Sequence, residues 1–212
     1  MKTYSILIAG IGGQGVLWLS KVIASAASQM YPHVCRTESR GLSQRGGSVC
    51  SGVRFGYLPA TPVTTTKSED LVLALDALEG ARMSHCLKEG GVVLTNQSFV
   101  APSYVIAGWN HAGDAEQKIA ALEKKIVELW QRNDYAINLE QVSAQSARPL
   151  NLNNLLLGVA SVVIPIQFHV LKTAMLYATP EKDHEAAITA IESGRKTMLE
   201  CVERRSRQLS VA

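Results

Sequence analysis

Short apolar runs closed off by glycine alternate, over roughly residues 1–139, with segments whose apolar side chains recur at three- and four-residue spacing. Tyr4 to Ala9 is one such run, short and apolar enough for a strand buried on both faces of a parallel sheet. The glycines from Gly10 to Gly15 follow it directly. Val16, Leu19, Val22, Ile23, Ala26 and Ala27 then mark one face of a helix over Val16–Met30, which Pro32 stops. His33–Glu38 predicts a second strand, Gly41–Gly47 a loop and Val49–Phe55 a third strand, before turns at Gly56 to Pro62. Leu71–Leu75 reads as a strand, Ala77–Leu87 as a helix ended by Gly90-Gly91, and Val92–Thr95 as the next strand. Val105–Ala107 predicts a further strand, and Asp114 caps a helix through Gln131 with Ile119, Leu122, Ile126 and Leu129 on one face. Tyr135–Asn138 adds the last strand. Beyond it the pattern is helical only: Leu152–Val163, broken by Pro165, Phe168–Tyr177, stopped by Pro180, and a long helix from Glu181. The order predicts an α/β fold, a Rossmann-like, mainly parallel sheet with helices on both faces and a helical C-terminal part from about residue 140, together one domain over 1–212.

Composition narrows the picture by exclusion. At 212 residues, 47% apolar and 18% charged, the chain buries a core without disulfides or metal, which excludes a disordered or stapled scaffold. A formal charge of +3 creates no field that would draw the whole chain to nucleic acid or an anionic membrane, so any anion site is local. The most apolar stretch, Leu155 to Leu171, is interrupted by Pro165, Gln167 and His169 and falls short of the ~20 residues of a membrane span. The first apolar run enters a glycine loop, where a signal peptide would have a cleavage site. Cys35, Cys50, Cys86 and Cys201 form no C-x-x-C pair, so no metal or iron–sulfur site has local ligands, and a reducing, cytoplasmic setting is expected.

Two segments carry candidate chemistry. Gly10-Ile11-Gly12-Gly13-Gln14-Gly15 satisfies G-x-G-x-x-G between a predicted strand and a predicted helix, where glycine lets backbone approach a phosphate and the helix N-terminus offers free N–H groups. Glu38 stands near the place of a ribose-binding carboxylate, about 20 residues on. A tight strand-to-helix turn with no ligand would use the same glycines. Val16-Leu17 after Gly15 excludes a P-loop, which needs Lys followed by Ser or Thr. The second segment runs from Arg36 to Ser48 and gathers Arg36, Arg40, Arg45, Gly41, Gly46 and Gly47 with hydroxyls at Thr37, Ser39, Ser43 and Ser48. Arginine forks beside glycine-freed N–H groups form an anion cradle; a solvated turn is the plainer reading. His33, His85, His111, His169 and His184 are isolated, and no H-E-x-x-H or G-x-S-x-G occurs. Asp70, Asp76 and Glu69 flank a strand and are expected in caps and turns. No catalytic residue of this chain is identified, and a subunit that shapes a site held elsewhere is expected.

Ile8-Ala9-Gly10-Ile11-Gly12-Gly13-Gln14-Gly15-Val16, Glu38 with Gly41-Leu42-Ser43-Gln44-Arg45-Gly46-Gly47-Ser48-Val49, and Val53-Arg54-Phe55-Gly56 together resemble the gamma-type domain of 2-oxoacid:ferredoxin oxidoreductases. Within that family they resemble the small (beta) subunits of the indolepyruvate enzymes. The resemblance continues through Asp70 to Glu79, Gly90 to Asn96 and Asn154 to Gly158. It implies a Rossmann-like domain that pairs with a larger (alpha) subunit carrying thiamine diphosphate, magnesium and iron–sulfur clusters. That complex would decarboxylate an aryl pyruvate oxidatively, form its acyl-CoA and reduce ferredoxin. The candidate cofactor-binding residues, read from the two motifs, are Gly10, Gly12, Gly13, Gln14, Gly15, Glu38, Arg40, Arg45, Gly46, Gly47 and Ser48. The chain departs from the family pattern at Trp18, where a small or polar residue is implied, and at Arg148-Pro149. It also departs at Ala187 to Gly194, where the pattern is Asn-x-x-Ala-Phe-x-x-Gly. A stand-alone NAD(P)-dependent reductase or a dinucleotide-binding module is the alternative.

Overall fold

The computed structural model describes residues 3–40, 47–61, 63–100 and 135–209, together with the helical positions Gln117, Ala120, Ala121, Lys124 and Ile126. The expected strand at Val105–Ala107 and most of the helix from Asp114 lie outside the described residues.

Strand β1 (Thr3–Ile11) alternates its contacts with period two, as an extended chain must. Ile6 and Ile8 face one side of the sheet and Leu7 the other. The same division holds for β4 (Glu69–Ala74), with Leu71 and Leu73 on the first side and Val72 on the second. In β5 (Leu87–Asn96), Leu94 and Val93 divide likewise. The first side packs against α1 (Val16–Ser28), whose Val16, Leu19, Val22, Ile23, Ala26 and Ala27 are the buried stripe that the sequence spacing predicts. The other side carries a smaller cluster of Leu7, Val72 and Val93 under Cys86 and Met83, which end the segment of α2 (Ala77–Met83) and its 3₁₀ turn.

Among the described residues six strands lie in the order β2 (His33–Arg40), β3 (Ser48–Gly56), β1, β4, β5 and β6 (Tyr135–Ile137). β1, β4, β5 and β6 are parallel neighbours, whereas β3 runs antiparallel to both β1 and β2. The mainly parallel α/β sheet is therefore present, with one insertion: β3 occupies the place beside β1 that a doubly wound sheet gives to β2.

Three boundaries differ from the sequence pattern for local reasons. Gly90 and Gly91 lie inside β5, at a register shift between Glu69 and Leu71, and do not close a helix. A six-residue helix α3 (Leu139–Ala144), too short to show periodicity, follows β6 because the Asn138 side chain accepts the Gln141 N–H at 2.8 Å. A 3₁₀ turn at Glu181–Asp183 precedes the last helix. The C-terminal helices α4 (Leu152–Ala160), α5 (Phe168–Tyr177) and α6 (His184–Leu209) share the core of α1 and the sheet. Among the described residues no helix is long and apolar enough to cross a membrane.

Candidate functional site at the carboxyl edge of the sheet

β1, β4, β5 and β6 all end at one edge, where the chain turns into loops, and β3 begins there. The G-x-G-x-x-G segment forms the first of these loops. The Gln14 N–H donates to the Ile11 carbonyl at 3.0 Å, and the Ile11 N–H donates to Gln14 Oε1 at 2.8 Å, so the turn is closed by its own glutamine. Gly15, with φ of 90°, is the N-cap of α1, a backbone conformation that L side chains rarely adopt. A Cβ at Gly15 would also fall 2.4 Å from Asn153 Nδ2 at the start of α4. Among the described residues no side chain caps α1, and its own first turn holds no acidic residue, so the positive end of the helix dipole is not offset by a carboxylate of that turn.

The second motif meets the first. Ile11 pairs with Ser48, and the Gly12 N–H donates to the Gly47 carbonyl at 2.9 Å. Gly10, Gly12, Gly13, Gln14, Gly15, Gly47 and Ser48 thus come together at one edge. Arg40 ends β2 opposite Val49, on the strand beyond β3. Arg45 and Gly46 lie outside the described residues. Glu38 is held elsewhere: it pairs with Ser51 across the ladder and its carboxylate meets Arg36 Nη1 at 3.0 Å, on a strand that β3 separates from β1. A ribose-binding acid of the doubly wound type stands on the strand next to the glycine loop, a place taken here by β3.

Two carboxylates lie beneath this edge. Asp76, fully buried, caps α2 by accepting the Leu78 and Glu79 N–H groups at 2.9 and 3.1 Å, and its other oxygen accepts the Val100 N–H at 2.8 Å. Glu79, also buried, accepts from Ser48 Oγ and from Arg82 Nη1, both at 2.6 Å. The expectation of caps and turns holds for Asp76. The part of Glu79 is new, and its trace in the sequence is the Asp-x-x-Glu spacing of a capping box. Nearby, Glu140 accepts from Asn96 Nδ2 at 2.9 Å and Ser98 Oγ at 2.8 Å, which ties the end of β5 to α3. Beside Gly15, a cavity of about 380 Å³ is lined by Trp18, Asn153, Asn154, Pro180 and Asp183, with the indole N–H of Trp18 donating to the Ala178 carbonyl at 3.1 Å. This bond occupies the polar end of the residue that departs from the family pattern.

Burial pushes the Asp76 carboxyl above its ordinary range, aided by the Glu79 charge and opposed by the three N–H donors. A raised native pKa means that the folded chain binds this proton more tightly than the unfolded one. The contribution of Asp76 to stability then falls as pH rises from the unfolded carboxyl value, about 3.9, through the raised native value. Relative to wild type, Asp76→Asn is expected to gain stability as pH rises above about 4, as urea unfolding along a pH series would read. A wild type that gains on the variant with rising pH would contradict the assignment.

Cys35, Cys50, Cys86 and Cys201 are free thiols, and burial pushes both Cys50 and Cys86 above the usual thiol range. Among the described residues no group of three or more His, Cys, Asp or Glu side chains is placed to hold a metal ion. These side chains do not fit an iron–sulfur cluster.

Residues 5–197 match the pyruvate ferredoxin/flavodoxin oxidoreductase family. The chain belongs to that family. It is homologous to indolepyruvate oxidoreductase subunit IorB of Thermococcus kodakarensis, with 28% identity over 94% of this chain and 98% of the relative. The same-named subunit of Methanothermobacter thermautotrophicus is 26% identical over 90% and 95% of the two chains. The keto/oxoacid ferredoxin oxidoreductase gamma subunit of Geobacter sulfurreducens shares the fold, with a TM-score of 0.64 and 22% identity over 93% of this chain and 99% of that one. A 2-oxoglutarate:ferredoxin oxidoreductase from Magnetococcus marinus, solved with 2-oxoglutarate, coenzyme A and succinyl-CoA, superposes with a TM-score of 0.67 at 16% identity, over 94% of this chain and 32% of that one.

Proposed function

We propose that this chain is the small subunit of an indolepyruvate, or aryl pyruvate, ferredoxin oxidoreductase and acts only in complex with a larger thiamine diphosphate and iron–sulfur subunit. The observation that carries the reading is the relation to indolepyruvate oxidoreductase subunits along nearly the whole of both chains. The complex converts an aryl 2-oxoacid and CoA to the acyl-CoA and carbon dioxide, and the electron pair leaves to two ferredoxins. Thiamine diphosphate on the larger subunit supplies the carbanion chemistry. The small chain contributes the edge where the glycine loop, Gly47 and the uncapped N-terminus of α1 converge. Such an edge accepts an anion, and together with Arg40, Arg45 and Gly46 it holds the CoA phosphates against the partner. The dinucleotide reading is weaker, because β3 separates Glu38 from β1 and Arg36 engages its carboxylate.

The purified chain alone is expected to be colourless, iron-free and inactive, and to gain CoA- and thiamine-dependent oxidation of indolepyruvate and phenylpyruvate when its larger subunit is added. Stoichiometric iron or keto-acid turnover in the single chain would refute the subunit reading. A kcat/KM for pyruvate or 2-oxoglutarate above that for both aryl substrates would assign a different 2-oxoacid.

A further inference from the structure

An anion cradle has reason to exclude carboxylates, since like charges repel, yet Asp76 and Glu79 both lie beneath this one. Asp76 is accounted for by the three backbone N–H groups that it accepts. Glu79 is not. It stands at the third helical position of α2, from which a capping-box glutamate reaches back to the N-cap backbone. Its carboxylate instead turns to Ser48 Oγ and Arg82 Nη1, each at 2.6 Å. Its side chain is only 3% exposed, so it is closed to a ligand arriving at the edge, and Arg82 compensates its charge. Ser48 is the first residue of β3, where the chain returns from the Arg45-Gly46-Gly47 segment. Its neighbour Gly47 supplies the carbonyl that receives the Gly12 N–H. The hydroxyl that Glu79 holds is therefore one residue from the junction of the two loops.

We propose that Glu79 is a positioning residue: through the Ser48 hydroxyl it fixes Gly47 and the start of β3 against the glycine loop and thereby sets the affinity of the edge for the anionic substrate. The proposal rests on the reading of these loops as a cradle for the CoA phosphates. A buried, charge-compensated carboxylate suits the task, because a hydrogen bond to an ionised acceptor is short and strong and is shielded here from competing water.

The test is steady-state kinetics on the assembled two-subunit complex with CoA as the varied substrate, using Ser48→Ala, Ser48→Thr, Glu79→Leu, Glu79→Gln, the double variant Ser48→Ala/Glu79→Leu and Arg45→Gln. Ser48→Ala and Glu79→Leu are each expected to raise the KM for CoA about tenfold, with kcat within roughly twofold of wild type. The double variant should be no worse than either single one, because both remove the same bond. Ser48→Thr and Glu79→Gln keep a donor and an acceptor and should stay within about threefold of wild type. Arg45→Gln should raise the same KM by roughly 10- to 100-fold. If it does while Ser48→Ala and Glu79→Leu keep the wild-type KM, or lose only their unfolding midpoint, Glu79 is a structural residue and the inference fails alone. If the double variant is the product of the singles, the coupling through Ser48 is refuted. A wild-type KM for Arg45→Gln removes the cradle reading itself.

Discussion

Gly194→Ala is expected to lower the stability of the chain by about 3 kcal/mol, and Gly158→Ala by a similar amount. The two glycines face each other where α4 and α6 cross. A Cβ on Gly158 would fall 2.1 Å from the Ile191 carbonyl oxygen, and one on Gly194 would fall 2.0 Å from the Leu155 carbonyl oxygen. These are backbone atoms within regular helices, so neither contact is relieved by a rotamer change. The helices must separate, and the side chains around the crossing, Leu155, Ile191 and Ala190 among them, are fully buried with no slack to follow. Intrinsic propensity argues the other way, since Ala favours a helix interior over Gly by about 1 kcal/mol. The crossing should win because overpacking a tight interface typically costs 1–3 kcal/mol and occasionally more, and here two helix backbones are displaced. Urea unfolding of both variants decides the matter. A stabilisation near 1 kcal/mol would mean that the helices do not approach this closely.

That crossing also illustrates what could be read from the chain. Gly158 and Gly194 each end a stretch compared with the family pattern, and Ala190-Ile191 stand where that pattern has Ala-Phe. Their reason for being glycine became visible only once α4 and α6 were placed together. The strands of β1, β4 and β5 were legible because burial on both faces leaves continuous apolar runs. The insertion of β3 between β1 and β2 was not, since strand order depends on which edges pair and no local periodicity encodes that choice. Gly90-Gly91 looks like a helix stop in isolation and proves to be an irregularity within β5. In the site, the glycine loop was legible because backbone conformation constrains its residue types directly. Glu79 was not, because its role is defined by Ser48, 31 residues away in the chain.

Breaking the ion pair at the opposite edge of the sheet should have the largest single effect on stability: Glu69→Leu or Arg54→Met is expected to cost about 3–5 kcal/mol. Glu69 is fully buried and Arg54 nearly so, and Arg54 Nη2 meets Glu69 Oε1 at 2.5 Å. The same guanidinium donates through Nη1 to the carbonyls of Thr61, at 2.5 Å, and Val63, and through Nη2 to Ser68 Oγ at 3.4 Å. One side chain of β3 thereby organises the connection that leads into β4. Ser68 Oγ also donates to Glu69 Oε1 at 2.8 Å, while Glu69 Oε2 has no hydrogen-bond partner among the described residues. The pair is thus only partly satisfied, which separates the cost of breaking it from its net worth. Removing Glu69 leaves a buried guanidinium on neutral acceptors, and removing Arg54 leaves a buried carboxylate with one hydroxyl donor. Either state carries an uncompensated charge. The double variant Arg54→Met/Glu69→Leu carries none, so it should lose less stability than either single variant, by at least about 1 kcal/mol. Some loss remains, because the Thr61 and Val63 carbonyls then lack their donor. Denaturant unfolding of the three variants gives the full cycle. Additive losses would show that the two charges are not coupled and that Arg54 acts only through the backbone carbonyls of the β3–β4 connection.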